Sequence, residues 1–206
     1  MGRGLATVGV CLLVLVSPLA ARSDPVSHQV LGTAADMHTL VHLSSAVCDP
    51  AGGDPSKPKD PHFFCRYTVR GTYMDQSNED FLGMGRVSGR FTIDTRSWTE
   101  QEPGYGCFAV HKGVVKFTTL DGGRLRTRIS RFASRICQPF DGLTVNGPDR
   151  AIRLVLKATP GGCVPPFCGV SGKLTWVSAA VFDTQAPQGI VRYLDSATFH
   201  GMLTSG

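Results

Sequence analysis

From residue 63 almost to its end, the chain alternates apolar and polar residues, the period of a strand with one buried and one wetted face. Residues 124–129 are the clearest stretch: Leu125, Thr127 and Ile129 fall on one side, Arg124, Arg126 and Arg128 on the other. Ile152, Leu154 and Leu156 alternate with Arg153 and Lys157 in the same way, interrupted by Val155. Half-buried strands of this kind belong to antiparallel sheets. The pattern predicts strands over 64–74, 81–95, 107–120, 124–137, 151–158, 172–182 and 189–203. Turn-forming residues punctuate them: Pro103-Gly104, Gly122-Gly123, Gly147-Pro148, Pro160-Gly161-Gly162, and Pro187 with Gly189. No long amphipathic helix intervenes. The expected fold is all-β, a single antiparallel β-barrel of about eight strands, with a β-sandwich as the alternative. Barrel closure is favoured because it removes sheet edges.

Residues 24–62 read differently. Residues 34–47 carry some helical periodicity but also fit a first strand over 39–44. Residues 49–62 are rich in Asp, Pro, Gly and Lys and form a loop. The domain organisation is therefore a leader at 1–23, an N-terminal segment and loop at 24–62, and the barrel domain at 63–206.

The leader reads as a secretory signal peptide. Arg3 precedes an apolar run from Leu5 to Val16, Pro18 breaks it, and Ala21 and Ser23 supply small residues for cleavage before Asp24. Cleavage after Ala20, or an uncleaved anchor, are the alternatives. The run is too short for a comfortable membrane span, and no second one follows. A secreted protein without a membrane span is expected. Arg3 and Arg22 leave with the leader and no acid does, so the net charge falls from +5 to +3. That value is mild, and no Lys/Arg block points to nucleic acid.

Cys11 leaves as well, so six cysteines remain. An even count in a secreted chain implies disulfides. Asp121-Gly122-Gly123 signals a hairpin turn. A turn centred on Gly122 sets Cys107 opposite Cys137, close enough to bond. Cys48 and Cys65 flank the loop and would tie it down. Cys163 and Cys168 remain, and the two prolines between them favour a tight turn. The expected bridges are 48–65, 107–137 and 163–168. A zinc site is the rival, but no Cys-x-x-Cys pair supports it.

No nucleotide-loop, nucleophile-elbow, zinc-protease or calcium-loop signature occurs. Arg124, Arg126 and Arg128 share a wet face that a polyanion such as an acidic polysaccharide could occupy; the plain alternative is a solvated face that discourages edge pairing. Few aromatics interleave with these arginines, against single-stranded nucleic acid. A straight hairpin register also puts His111, Arg131 and Arg135 on the face of Val115, Phe117, Leu125 and Ile129. Such a face could line a pocket for a ligand with an apolar body and an anionic head. A bulge near Gly113 or Ala133 would instead turn these residues to solvent. Trp176 and Tyr73 are core or rim residues that could close the pocket. His28, His38, His42, His62 and His200 show no mutual spacing that implies a metal; His38 and His42 would share a face at i, i+4 if their segment were a helix, but it also reads as a strand, so neither metal nor cofactor is expected.

Two resemblances follow from short motifs. Arg70-Gly71-Thr72-Tyr73 is similar to the first-strand motif of lipocalins, with Tyr in place of Trp. Gly85-Arg86-Val87-Ser88-Gly89 and Gly169-Val170-Ser171-Gly172 resemble the glycine-rich strand starts of the allene oxide cyclase and dirigent type of barrel. Both groups imply a small barrel that binds small apolar molecules, and the second implies guided cyclisation or coupling. The expected role is a secreted β-barrel binding a small apolar or amphiphilic ligand. One alternative is a cofactor-free cyclase or isomerase with His111 as acid or base. The other is a structural or interaction domain with a filled core, offering its loops or its arginine face to a partner.

Overall fold

A computed structural model describes residues 24–42, 48–139, 149–183 and 190–206. The signal-peptide reading of 1–23 and the turns at Gly147-Pro148 and Pro187 with Gly189 lie outside the described residues. The described residues form ten strands: β1 Val26–His42, β2 Phe64–Asp75, β3 Met84–Asp94, β4 Thr99–Glu102, β5 Tyr105–Thr119, β6 Arg124–Ile129, β7 Arg135–Pro139, β8 Asp149–Ala158, β9 Ser171–Asp183 and β10 Ile190–Ser205. No α-helix occurs among the described residues, and none is long and apolar enough to cross a membrane.

All pairings are antiparallel, and they run β3-β2-β1-β10-β9-β8. Strand β8 then pairs with β6 and β7, both pair with β5, and β5 returns to β3. The sheet closes on itself as a ring of eight strand positions, with β6 and β7 sharing one and β4 added beside the end of β5. The described termini, Asp24 and Gly206, and the turns after β2, β5 and β8 lie at one end. The last residues of β1, β3, β7 and β9 lie at the other.

Three irregularities decide which residues face inward. The first is in β1, which begins at Val26 rather than near residue 39, so the sheet reaches well ahead of residue 63. Its register shifts between Ala34 and Met37. The shift moves the inward parity from Val30 and Ala34 to Met37, Thr39 and Val41, all of them buried. Ala34, Met37 and Val41 therefore fall at helix-like intervals although the backbone is extended.

The second is in β5, where His111 is the extra residue between the pairs Val110↔Ile93 and Lys112↔Thr92. Phe108 and Val110 face inward before it, Val115 and Phe117 after it. The third splits the expected strand 124–137 at residues 130–134. Next to the turn, Phe117 pairs with Leu125, a register centred on Asp121. Two extra residues in the break restore the pairing of Cys107 with Cys137. The break is well bonded: Ser130 N–H donates to Val155 O, and Val155 N–H donates to the Ser134 hydroxyl. The backbone of Val155, the apolar residue on the outward side of β8, supplies both of these bonds.

All three expected disulfides are formed: Cys48–Cys65, Cys107–Cys137 and Cys163–Cys168. Within the loop closed by the first, the Asp60 carboxylate accepts the N–H groups of Asp54 and His62 at 2.9 and 3.0 Å. These bonds and the His62 side chain hold its pKa down at about 2.

The half of the ring nearer the termini is packed with rings. Phe117 lies 5.2 Å from Tyr73 and 5.4 Å from Phe199, centroid to centroid, and Trp176 stacks on Phe199 at 6.0 Å. Gly32 stands opposite Phe199 in the register, and a Cβ there would sit 2.2 Å from the Phe199 ring. The phenylalanine fills the space the glycine leaves. Leu82 and Phe167 are buried over this end, and the Tyr73 hydroxyl donates to Leu82 O.

Candidate functional site

The residues singled out for an interior pocket do not come together. His111 bulges to the outer face, where its ring lies 5.4 Å from Phe64. Arg131 and Arg135 are exposed, Arg131 beside the Phe132 ring. The straight register that placed them inward fails at the His111 bulge and again at the 130–134 break. Trp176 and Tyr73 do face inward, as members of the packed aromatic half. Burial pushes the Tyr73 phenol pKa up.

Two charged features stand out instead. The first is on the outside. Register places the outward residues of β2, β3, β5 and β6 in four cross-strand rows. These are Arg66, Thr92, Lys112; Thr68, Arg90, Val114, Arg128; Arg70, Ser88, Lys116, Arg126; and Thr72, Arg86, Thr118, Arg124. The second row continues to Lys157 on β8. Neighbouring strands lie ~4.8 Å apart, so the cations form a dense lattice with short side chains as its floor. Two confluent grooves sit on this face, of about 620 and 570 Å³. Arg90 borders both; Arg66, His111 and Lys112 border the first, and Lys116 and Arg126 the second.

These four strands contain two acids. Asp75 is buried and accepts the N–H groups of Ser77 and Leu82. Asp94, at the edge of the face, pairs with Arg96 at 2.8 Å. None of the ten cations in the four rows is in an ion pair with a described residue. Lys116 and Arg126 stand directly opposite each other, as do Arg128 and Lys157, and such like-charge pairs cost stability.

The second feature is inside, toward the end opposite the termini. Arg150 on β8 and Asp195 on β10 both pair with Ala180 on β9, so they share one row across an alanine. Both are buried. The Arg150 guanidinium lies over Tyr193 at 4.3 Å and Tyr67 at 5.5 Å, and its Nη1 donates to the Tyr67 hydroxyl. Thr39 donates its hydroxyl to Asp195 Oδ2. Among the described residues, no group bonds Arg150 Nε, Arg150 Nη2 or Asp195 Oδ1. Burial raises the Asp195 carboxyl to about pKa 7, although Thr39 and the charge of Arg150 both pull it down. Burial also pushes the Tyr67 phenol up. One layer deeper, Thr39, Ser178 and Trp176 border a void of about 10 Å³, the space of a single water.

Sequence reasoning passed over this cluster, although parity marks it. Arg150 continues the inward series of Ile152, Leu154 and Leu156, and Asp195 sits in the inward series of Tyr193, Ala197 and Phe199. A charge on the apolar face of a strand was the available signal. The outer lattice was half visible: Arg124, Arg126 and Arg128 were legible, but their neighbours on β2, β3 and β5 needed the strand order. No group of acidic, histidine or cysteine residues among the described residues is arranged to hold a metal. No protein-family model matches the chain, and no curated protein or solved structure matches it either.

Proposed function

We propose that this protein is a secreted, closed β-barrel of eight strand positions that binds an anionic polysaccharide on its outer cationic face. The carrying observation is the lattice of ten Lys and Arg side chains, nine on β2, β3, β5 and β6 and Lys157 on β8, without an ion-pair partner among the described residues and lined up over two grooves. Like charges placed face to face weaken a sheet, so a fold under no other demand has no reason to collect them. A flexible chain bearing sulfates or carboxylates supplies the missing counter-charges, with the arginine forks as bidentate partners. The filled aromatic half and the single-water void favour an interaction domain over capture of a large apolar ligand. The signal-peptide reading and the three disulfides support an extracellular setting, where such polymers occur.

The test is retention on immobilised heparin, a sulfated polysaccharide, with double-stranded DNA as comparator. Arg90→Glu with Lys116→Glu should abolish most of the retention. Arg131→Glu with Arg135→Glu, the same charge change away from the lattice, should leave it nearly intact. Equal losses in both double variants would reduce the effect to net charge and overturn the proposal. Tighter retention on DNA would replace the polysaccharide by nucleic acid.

A further inference from the structure

We infer that Arg150 is the recognition group of a small-carboxylate site inside the ring, separate from the outer cationic face. A guanidinium does not deprotonate in a protein, so its charge persists in the interior and calls for a partner. Arg150 is 3% exposed. Its Nη1 is taken by the Tyr67 hydroxyl, and the rings of Tyr67 and Tyr193 cover it. The two nitrogens left without a partner among the described residues are Nε and Nη2. Those two form the side-on fork of the guanidinium, whose N–H groups point the same way and match the two oxygens of one carboxylate.

The protein's own nearby carboxyl does not fill the fork: Asp195 and Arg150 form no ion pair. Asp195 is turned to Thr39, and Ala180 between them contributes only a methyl group. The row therefore presents a cationic fork, a small spacer and a carboxyl with one unbonded oxygen. A carboxylate seated on the fork stands within reach of Asp195, which welcomes it when protonated and repels it when ionised. Among the described residues, the charged and titratable groups on the same inner face are Arg150 on β8, Tyr67 on β2 and Tyr193 on β10; Asp183 on β9 is engaged by Arg192. The close cover over Arg150 limits the guest to a short acid. Arg150, Tyr67 and Asp195 all lie in the first halves of their strands, which gathers them toward one end of the ring.

The experiment uses the secreted chain with its disulfides intact and follows arginine Nε–H resonances by proton–nitrogen correlation NMR. Sodium acetate is titrated against sodium chloride at matched ionic strength, at about pH 6, below the Asp195 titration. One Nε–H resonance, missing from Arg150→Lys, should shift saturably with acetate and not with chloride. Raising the pH to about 8 should weaken acetate binding on the order of tenfold in the wild type, the equivalent of one pKa unit of charge interaction. Asp195→Asn should abolish that pH dependence. Should Arg150→Lys fail to fold, the contrast between wild type and Asp195→Asn carries the test alone. No saturable shift, the same shift with chloride, or the same pH dependence in Asp195→Asn would overturn the proposal.

Discussion

Asp195 shows how one buried group can set a pH response. Its carboxyl ionises near pH 7 in the folded chain and near its ordinary 3.8 when unfolded. Between those values the folded state holds a proton that the unfolded state has released. Stability therefore falls as pH rises through that window and levels off above about 7. Asp195→Asn removes this term. The variant should be more stable than the wild type above pH 7, and the difference should shrink toward about pH 4. Melting temperatures of both proteins across this range check it; parallel curves would mean that Asp195 is not a buried acid. Asp60 has the opposite sign. Its folded-state pKa is depressed to about 2, so its contribution is present above its ordinary 3.8 and is lost as pH falls toward 2.

Single bulges govern the behaviour of whole strands. The extra residue at His111 lets β5 bury Phe108 and Val110 on one stretch and Val115 and Phe117 on the next. Without it one of the two stretches would turn its apolar side to water. Beyond the bulge, the outward positions of β5 carry Lys112 and Lys116, the centre of the cationic lattice. Lys116 faces Arg126 across the β5–β6 pair. Lys116→Glu should convert a repulsive pair into an attractive one and raise stability by about 0.2–1 kcal/mol. The same change should weaken retention on heparin. Denaturant unfolding and heparin elution, measured together, separate the two. A variant that lost both stability and binding would argue that the lattice has a structural role.

Around the closed ring the surface is divided. Strands β2, β3, β5 and β6 carry the cations, whereas β1, β9 and β10 expose Leu31, Val177, Val181, Leu194 and Met202. The modest net charge hides this asymmetry, because all but two of the acids lie off these four strands. Binding through an exposed lattice is screened by salt: the Debye length shrinks from ~10 Å at 0.1 M to ~3 Å at 1 M. Heparin retention should therefore fall steeply over that range, while acetate binding at the interior site, compared at fixed acetate, should change much less. A salt-insensitive heparin interaction would point away from the cationic face.

Alternation alone was enough to read an all-β chain, because period two is local and each strand repeats it. Cysteine spacing and turn chemistry were enough for the three disulfides, since each closes a nearby loop or hairpin. The Cys107–Cys137 pair was legible even though the register beside the turn differs by two residues, because the break at 130–134 makes up the difference. Bulges were not legible. A single extra residue at His111, or the shift between Ala34 and Met37, reverses every inward assignment beyond it, and partner strands decide where that residue is accommodated. This is why His111, Arg131 and Arg135 looked inward in the sequence and lie outside in the fold. It is also why Ala34, Met37 and Val41 mimicked a helix. Arg150 and Asp195 are 45 residues apart in the chain, and only the β8-β9-β10 register sets them across Ala180. The lattice likewise needs β2, β3, β5 and β6 side by side, an adjacency that depends on ring closure through the β3–β5 pair.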